Sequence, residues 1–258
     1  MLRLYDGFYY SFRKGLWKPS GTPAITNIIE EFANKKNLRC YLYFYIPYKQ
    51  NDFKLFQKIK IKGLKLKINF IVTPTFFKFF PRRIFSLLNL IYFSIIGLIL
   101  GLKIKPDLFY TDRGNVLTAA LLTKLLKIKT ILRILGMPRN HMNYLSKSSI
   151  LPWVHRWAYK TQFTHIIGTF DGSAIHEFTK SFLNTKTKLD ILINGVSKNK
   201  FSDLKTSKNI KILFLGRLEE NKGIKELLLS SLRLKQSNYN NFTIYIIGNG
   251  REFSYCFN

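Results

Sequence analysis

The chain has 258 residues, of which 47% are apolar and 16% aromatic, with no long low-complexity tract; such a composition supports a buried core and excludes a disordered chain. Its formal net charge is +28, from 42 Lys and Arg against 14 Asp and Glu, which points to an anionic partner or to Lys enrichment in an AT-biased composition rich in Ile, Asn and Phe. Two distant cysteines, Cys40 and Cys256, have no metal-type spacing and fit a reducing compartment, and residues 1–6 contain no apolar export run.

Short apolar or β-branched runs alternate with longer helical patterns. A strand over residues 2–5 leads to a helix over 22–36 and strands over 38–46 and 66–72. Next come a helix over 79–102, a strand over 107–111, a helix over 115–126 and a strand over 129–134. A helix over 151–162, a strand over 165–169, a helix over 173–183 and a strand over 190–193 complete the series. Several strands are apolar on successive residues, as strands covered on both faces are. Strand and helix in alternation predict a parallel sheet with helices on both sides, an α/β fold of Rossmann-like type. Asn115 and Asp171 stand where helix N-caps are expected.

After a polar link over 197–209 a second unit begins, with a strand over 211–215, a helix over 222–234 and a strand over 242–247. One βαβ unit does not bury both faces of a doubly wound sheet, so this domain is expected to be incomplete as written. The predicted domains are residues 1–194 and 195–258.

Two stretches raise the question of a membrane. Ile84 to Leu102 carries no charge and is long enough to span, but it contains Ser86, Asn89, Ser94, Gly97 and Gly101. Arg82 and Arg83 flank one end and Lys103 and Lys105 the other, so no positive-inside asymmetry is present. It also runs directly into the next strand. The expectation is a crossover helix buried against the sheet, with some contact to a bilayer interface. Upstream, Lys58-Ile59-Lys60-Ile61-Lys62 and Leu64-Lys65-Leu66-Lys67 interleave cation with apolar residue. Such a run suits insertion at an anionic lipid surface, or equally a solvated edge strand.

The clearest chemical signal is Leu215-Gly216-Arg217-Leu218-Glu219-Glu220-Asn221-Lys222-Gly223-Ile224. A buried strand ends at glycine, a short loop carries Arg217 and Lys222, and a helix follows. Two cations at the carboxyl end of a parallel strand, beside a helix N-terminus, suit a diphosphate. By composition alone the stretch is also an ordinary strand, turn and helix with solvated charges. No Walker loop and no GxGxxG occur, and His141, His155, His165 and His176 have no ligand spacing. Nucleic-acid binding is disfavoured because the aromatics follow buried-strand patterns, not an exposed stacking array.

The Gly-Arg-Leu and Lys-Gly pair resembles the opening of the second domain in family-4 retaining glycosyltransferases (the glycosyl transferases group 1) of the two-domain GT-B fold. Ile193-Asn194-Gly195-Val196 with Phe201 resembles their domain crossing, and Tyr245-Ile246-Ile247-Gly248-Asn249-Gly250 their next strand and glycine turn. Trp17-Lys18-Pro19-Ser20-Gly21-Thr22-Pro23 looks like the family's glycine-bearing loop over the donor. Pro106-Asp107-Leu108-Phe109-Tyr110 resembles a common strand entry. The residues 130–136 resemble a strand that usually ends His-Gly, but Leu135 stands before Gly136; His141 nearby is read as a surface residue.

The resemblance implies a donor diphosphate held by Arg217 and Lys222, with Gly21, Gly216, Gly248 and Gly250 as donor-loop positions and no catalytic residue assigned. It implies a nucleotide-sugar donor, a lipid-linked or saccharide acceptor, and no metal or other cofactor. The expected setting is cytoplasmic, on the inner face of the plasma membrane, in polysaccharide or glycolipid assembly. The family's downstream glutamate motif is not in this sequence, so the chain is expected to be inactive by itself. The competing expectation is a non-catalytic remnant or a protein that binds acceptor or membrane surface.

Overall fold

Alternating apolar side chains on both faces of short runs decide this architecture, seen in a computed structural model that describes residues 1–20, 23–46, 53–193 and 209–257. The chain divides into two units, Met1–Val196 and Ser197–Asn258. In chain order the first contains β1 (Leu2–Arg3), α1 (Asp6–Arg13), α2 (Pro23–Asn34), β2 (Leu42–Ile46), β3 (Lys58–Ile59), β4 (Ile68–Val72) and α3 (Arg82–Ile104). It continues with β5 (Leu108–Asp112), α4 (Val116–Leu126), β6 (Lys129–Ile134), α5 (Arg139–Leu145) and α6 (Ile150–Tyr159). β7 (His165–Thr169), α7 (Ile175–Phe182) and β8 (Leu189–Leu192) close it.

The strands form two four-stranded sheets, ordered β1-β2-β4-β3 and β5-β6-β7-β8, and every pairing is parallel except β3 with β4. The sheets meet where β1 lies beside β5. There the Met1 backbone nitrogen donates to the Tyr110 carbonyl at 3.0 Å, and Thr111 Oγ1 donates to the Met1 carbonyl at 2.6 Å. Strand order therefore runs outward in opposite directions from this junction. In open parallel sheets, ligands bind outside the carboxyl ends of the strands at such a reversal.

Both faces of the first sheet are covered. Leu42, Phe44 and Ile46 join Ile68 and Phe70 in a core with Phe8 and Phe12 of α1 and Ile25 and Ile29 of α2. The intervening Tyr45 joins Ile71 under Phe93 of α3, with Tyr43, Tyr92 and Ile96 packed around them. The second sheet buries Leu132, Ile134 and Ile166 with Val116 and Ala120 of α4, Ala158 and Tyr159 of α6, and Phe178 of α7.

Three elements depart from the sequence expectation. α1 was not foreseen, although Phe8 and Phe12 share its buried face at a four-residue spacing; a run so dense in aromatics reads as strand, turn or helix alike. α5 was also missed, as a single short helix between two loops. The strand expected to start at residue 38 begins at Leu42, and Leu38 and Tyr41 are exposed. The lysine-rich run 58–67 is the edge of the first sheet. Ile61 and Leu64 are buried in the core, and Ile59 and Leu66 pack against it, while the lysines point outward. Its apolar side chains are committed inward and are not free to insert into lipid.

α3 is the crossover from β4 to β5, and only one side of it is buried. That side carries Phe93 together with the small or polar Ser94, Gly97 and Gly101. Ser94 Oγ approaches Thr118 Oγ1 of α4 at 3.4 Å, and a Cβ on Gly97 would overlap the Thr118 methyl. The expectation of a helix buried against the sheet holds for one side of it, where Phe93, with Tyr92, Ile96 and Leu100, packs on Tyr45 and Ile71.

The second unit has β9 (Ile210–Leu215), α8 (Ile224–Gln236), β10 (Phe242–Ile247) and α9 (Phe253–Phe257). β9 and β10 are parallel, with Ile210 opposite Phe242 and Leu215 opposite Ile247. Among its described residues only Leu218 and Ile224 are buried hydrophobics, and Leu213, Leu215, Tyr245 and Ile247 are exposed along one face of the two strands.

Candidate functional site

Each unit presents a polar rim at the carboxyl ends of its parallel strands. In the second unit the rim is the loop between β9 and α8. The Gly216 N–H donates to the Ile247 carbonyl at 3.1 Å and the Leu218 N–H to the Asn249 carbonyl at 3.0 Å, so the turns after β9 and β10 lie backbone to backbone. A Cβ on Gly248 would overlap the Gly216 carbonyl, and one on Gly250 the Leu218 carbonyl. These two glycines serve the close approach of the chain to itself. Gly216 is less constrained, with only the Phe214 ring near its missing Cβ.

Arg217 and Lys222 both stand on this loop. Lys222 ends a 3-10 turn, Glu220–Lys222, and is exposed; α8 starts two residues later than the sequence pattern suggested. Arg217 Nη1 donates to Glu219 Oε1 at 3.0 Å, across a pair whose arginine side chain is 68% exposed. An exposed pair of this kind is weak, so an anionic ligand competes for the guanidinium at small cost. Acids surround the cations: Glu219, Glu220 and Glu226 lie in the same loop and first turn, and Lys225 Nζ is bound to Glu252 Oε2 at 2.9 Å. Gly21, Asn194, Gly195, Val196 and Phe201 lie outside the described residues.

The first unit has the more developed rim, where the strand order reverses. Asp112 ends β5 with its carboxylate buried. Tyr5 donates to Asp112 Oδ2 at 2.5 Å, and Asn115 Nδ2 donates to Oδ1 at 3.2 Å. Burial raises the Asp112 pKa above the usual carboxylate value; the Tyr5 hydrogen bond and the charges and backbone bond from the chain start and Arg3 oppose the rise. Burial and the adjacent Asp112 charge likewise push the phenols of Tyr5 and Tyr45 well up, so both stay protonated donors.

Beside this cluster, Arg113 Nη1 donates to the Gly136 carbonyl at 3.3 Å. Gly136 has a φ of 78°, and Asp171 occupies the space a side chain would fill there. Ser173 Oγ accepts from the Met137 N–H at 2.8 Å, tying the loop after β7 to the loop after β6. Arg133 Nη2 donates to Thr169 Oγ1 at 3.0 Å below them.

His141, read from sequence as a surface residue, is half-buried at the start of α5. Its ring stacks on Tyr144 with centroids 5.6 Å apart, and its Nε2 is buried without a hydrogen-bond partner. Burial, then the charges of Arg113 and His155, pushes its pKa down to about 4, so at neutral pH it is an uncharged imidazole. Tyr144 OH also meets His155 Nδ1 at 3.2 Å, which places two of the four histidines about one tyrosine. His165 instead pairs with Asp190 at 2.7 Å. Among the described residues no three His, Cys, Asp or Glu side chains converge as metal ligands.

This rim offers phenol and guanidinium donors, a buried carboxylate and a neutral imidazole, a set suited to a polyhydroxylated or anionic ligand. Tyr5, Asp112 and Arg113 were not singled out in the sequence, and Asn115 only as a helix N-cap. The one available signal was Thr-Asp-Arg-Gly-Asn at a strand end before a helix, which the sequence reading used only for its N-cap. A cavity of about 550 Å3 lies at the opposite, amino end of the strands, lined by Ile25, Phe32, Leu42, Leu100, Gly101 and Pro106. It is mainly apolar and contains none of the predicted site residues. No family model matches this sequence, and no curated protein matches it.

Proposed function

We propose that the chain is the acceptor-side lobe and the opening of the donor lobe of a glycosyltransferase of GT-B type, retaining and of family 4. The observation that carries this reading is the pair Arg217 and Lys222 on one loop between a parallel strand and a helix. Arg217 supplies a planar fork and Lys222 a mobile ammonium; together they neutralise the diphosphate that leaves a nucleotide-sugar donor, where negative charge grows in the transition state. The acceptor, a saccharide or lipid-linked saccharide of cell-surface polymers, faces Arg113, His141 and the Tyr5–Asp112 pair. The uncharged His141 can accept a hydroxyl hydrogen bond, which a protonated ring cannot.

The test is isothermal titration of the chain with uridine, guanosine and adenosine diphosphates, alone and as sugar conjugates. One of these is expected to bind, and Arg217→Gln or Lys222→Gln weakens it by about tenfold each, as loss of a charge-assisted contact does. Equal binding by both variants, or no binding of any nucleotide, overturns the assignment of the pair.

A second reading is favoured by the local acids and by the uncovered face of the β9–β10 sheet: a catalytically inactive chain that keeps acceptor binding only. It expects saccharide binding, weakened by Arg113→Gln, with no nucleotide binding and no donor hydrolysis. The same titration separates the two.

A further inference from the structure

α3 turns an aliphatic face outward, where a helix on a water-facing surface turns a polar one. Its buried side is Phe93 with Ser94, Gly97 and Gly101, while its outward stripe is Ile84, Leu88, Ile91, Ile95, Ile99 and Leu102. The spacing of three and four residues keeps all six on one face for about 27 Å at 1.5 Å rise per residue. Five of them are 43–58% exposed. A surface helix in water carries polar residues on its outward face.

The stripe does not stand alone. Before α3, Phe76, Phe79 and Phe80 are exposed, Phe79 to 78%. Beyond α4, which packs between α3 and α6, stand Ile150, Trp153 and Trp157, with Lys124 Nζ 3.9 Å from the Trp157 ring centroid. Basic residues mark both ends of α3: Lys78, Arg82 and Arg83 at one, Lys103 and Lys105 at the other. From Phe53 to Pro106 the sequence has eleven Lys or Arg and neither Asp nor Glu.

We propose that the outward face of α3, with Phe76, Phe79 and Phe80 beside it, docks the protein in the plane of an anionic lipid surface. The aliphatic stripe enters the acyl boundary, the aromatic rings sit at headgroup depth, and the flanking cations reach the phosphates. The helix lies flat and does not span, because its other side is bound to Thr118 and to the Tyr45–Ile71 core and both its ends join sheet strands. A second copy of the chain is a poorer occupant. A two-fold contact centred on the stripe would bring the basic ends against one another, with Asp107 beside Lys105 the one nearby acid in sequence. This inference is independent of the sugar-transfer reading, since it depends on neither rim.

The test is co-sedimentation of the full chain with phosphatidylcholine vesicles, with and without phosphatidylglycerol. Binding is expected to the anionic vesicles and to fall by roughly tenfold or more in the triple variant Ile91→Ser, Ile95→Ser, Ile99→Ser. It is expected to fall by a similar factor in Arg82→Gln, Arg83→Gln. Far-UV circular dichroism should be unchanged, because every substituted side chain is exposed. If the triple variant fails to fold, Ile95→Trp replaces it: brominated acyl chains should quench its fluorescence beyond the quenching of the parent. Equal binding to neutral and anionic vesicles, no loss in the variants, no added quenching at position 95, or a dimer in sedimentation velocity that the triple variant dissolves would each overturn the proposal.

Discussion

Single residues set the chemistry of the rim, and His141 shows how. In the unfolded chain an imidazole takes a proton near its ordinary value of 6.5, whereas in the folded protein it does so only near about 4. As pH falls between those values the unfolded state binds a proton that the folded state refuses, so stability falls with it. His155, lowered by burial in the same direction, adds to the effect. Urea denaturation should therefore give a lower unfolding free energy at mildly acid than at neutral pH. His141→Gln should shrink that difference by roughly 1–2 kcal/mol, once solvent screening of a half-exposed ring is allowed for. An unchanged difference would mean the ring is solvated. Sequence alone did not distinguish this histidine from a surface one, because Tyr144 is in its own helix but Arg113 and His155 are brought to it by two other segments.

Among the elements, those with a clean period were legible. The runs that became β4, β6 and β7 are apolar on successive residues, and the sequence reading ends all three where the structure does. α1 and α5 were not legible, since α1 is dense in aromatics that suit strand and helix alike and α5 spans only seven residues. α3 was visible as a helix, but which side it buries was not, because both sides are apolar enough to pass for a core face. Its seam with α4 depends on the missing Cβ at Gly97. Gly97→Ala should destabilise the fold by about 1–3 kcal/mol through collision with the stiff Thr118 side chain. Thr118→Ser in that background removes the colliding methyl and should recover part of the loss in a thermal melt. A Gly97→Ala protein as stable as its parent would show the seam to be looser than described.

At the scale of the whole molecule, a parallel α/β unit followed by a second, shorter one was legible from the alternation of strand and helix. The rim residues around Asp112 were not, because they become neighbours only through the reversal of strand order at β1 and β5. The second unit buries two hydrophobic side chains among its described residues, and the exposed face of β9 and β10 is a binding surface for any apolar probe. The chain should therefore enhance anilinonaphthalene sulfonate fluorescence in its native state, and Leu213→Ser with Leu215→Ser should reduce that enhancement several-fold. No enhancement would mean that the face is shielded in solution.

The one antiparallel strand of the first sheet has a consequence for self-association. β3 presents Lys58 at the margin of its sheet, with Lys60 and Lys62 following it outward. A second polypeptide extending the ladder from that side would lay its backbone along a row of like charges. Charged side chains on an edge strand disfavour such ladder growth by electrostatic repulsion, without a covering helix.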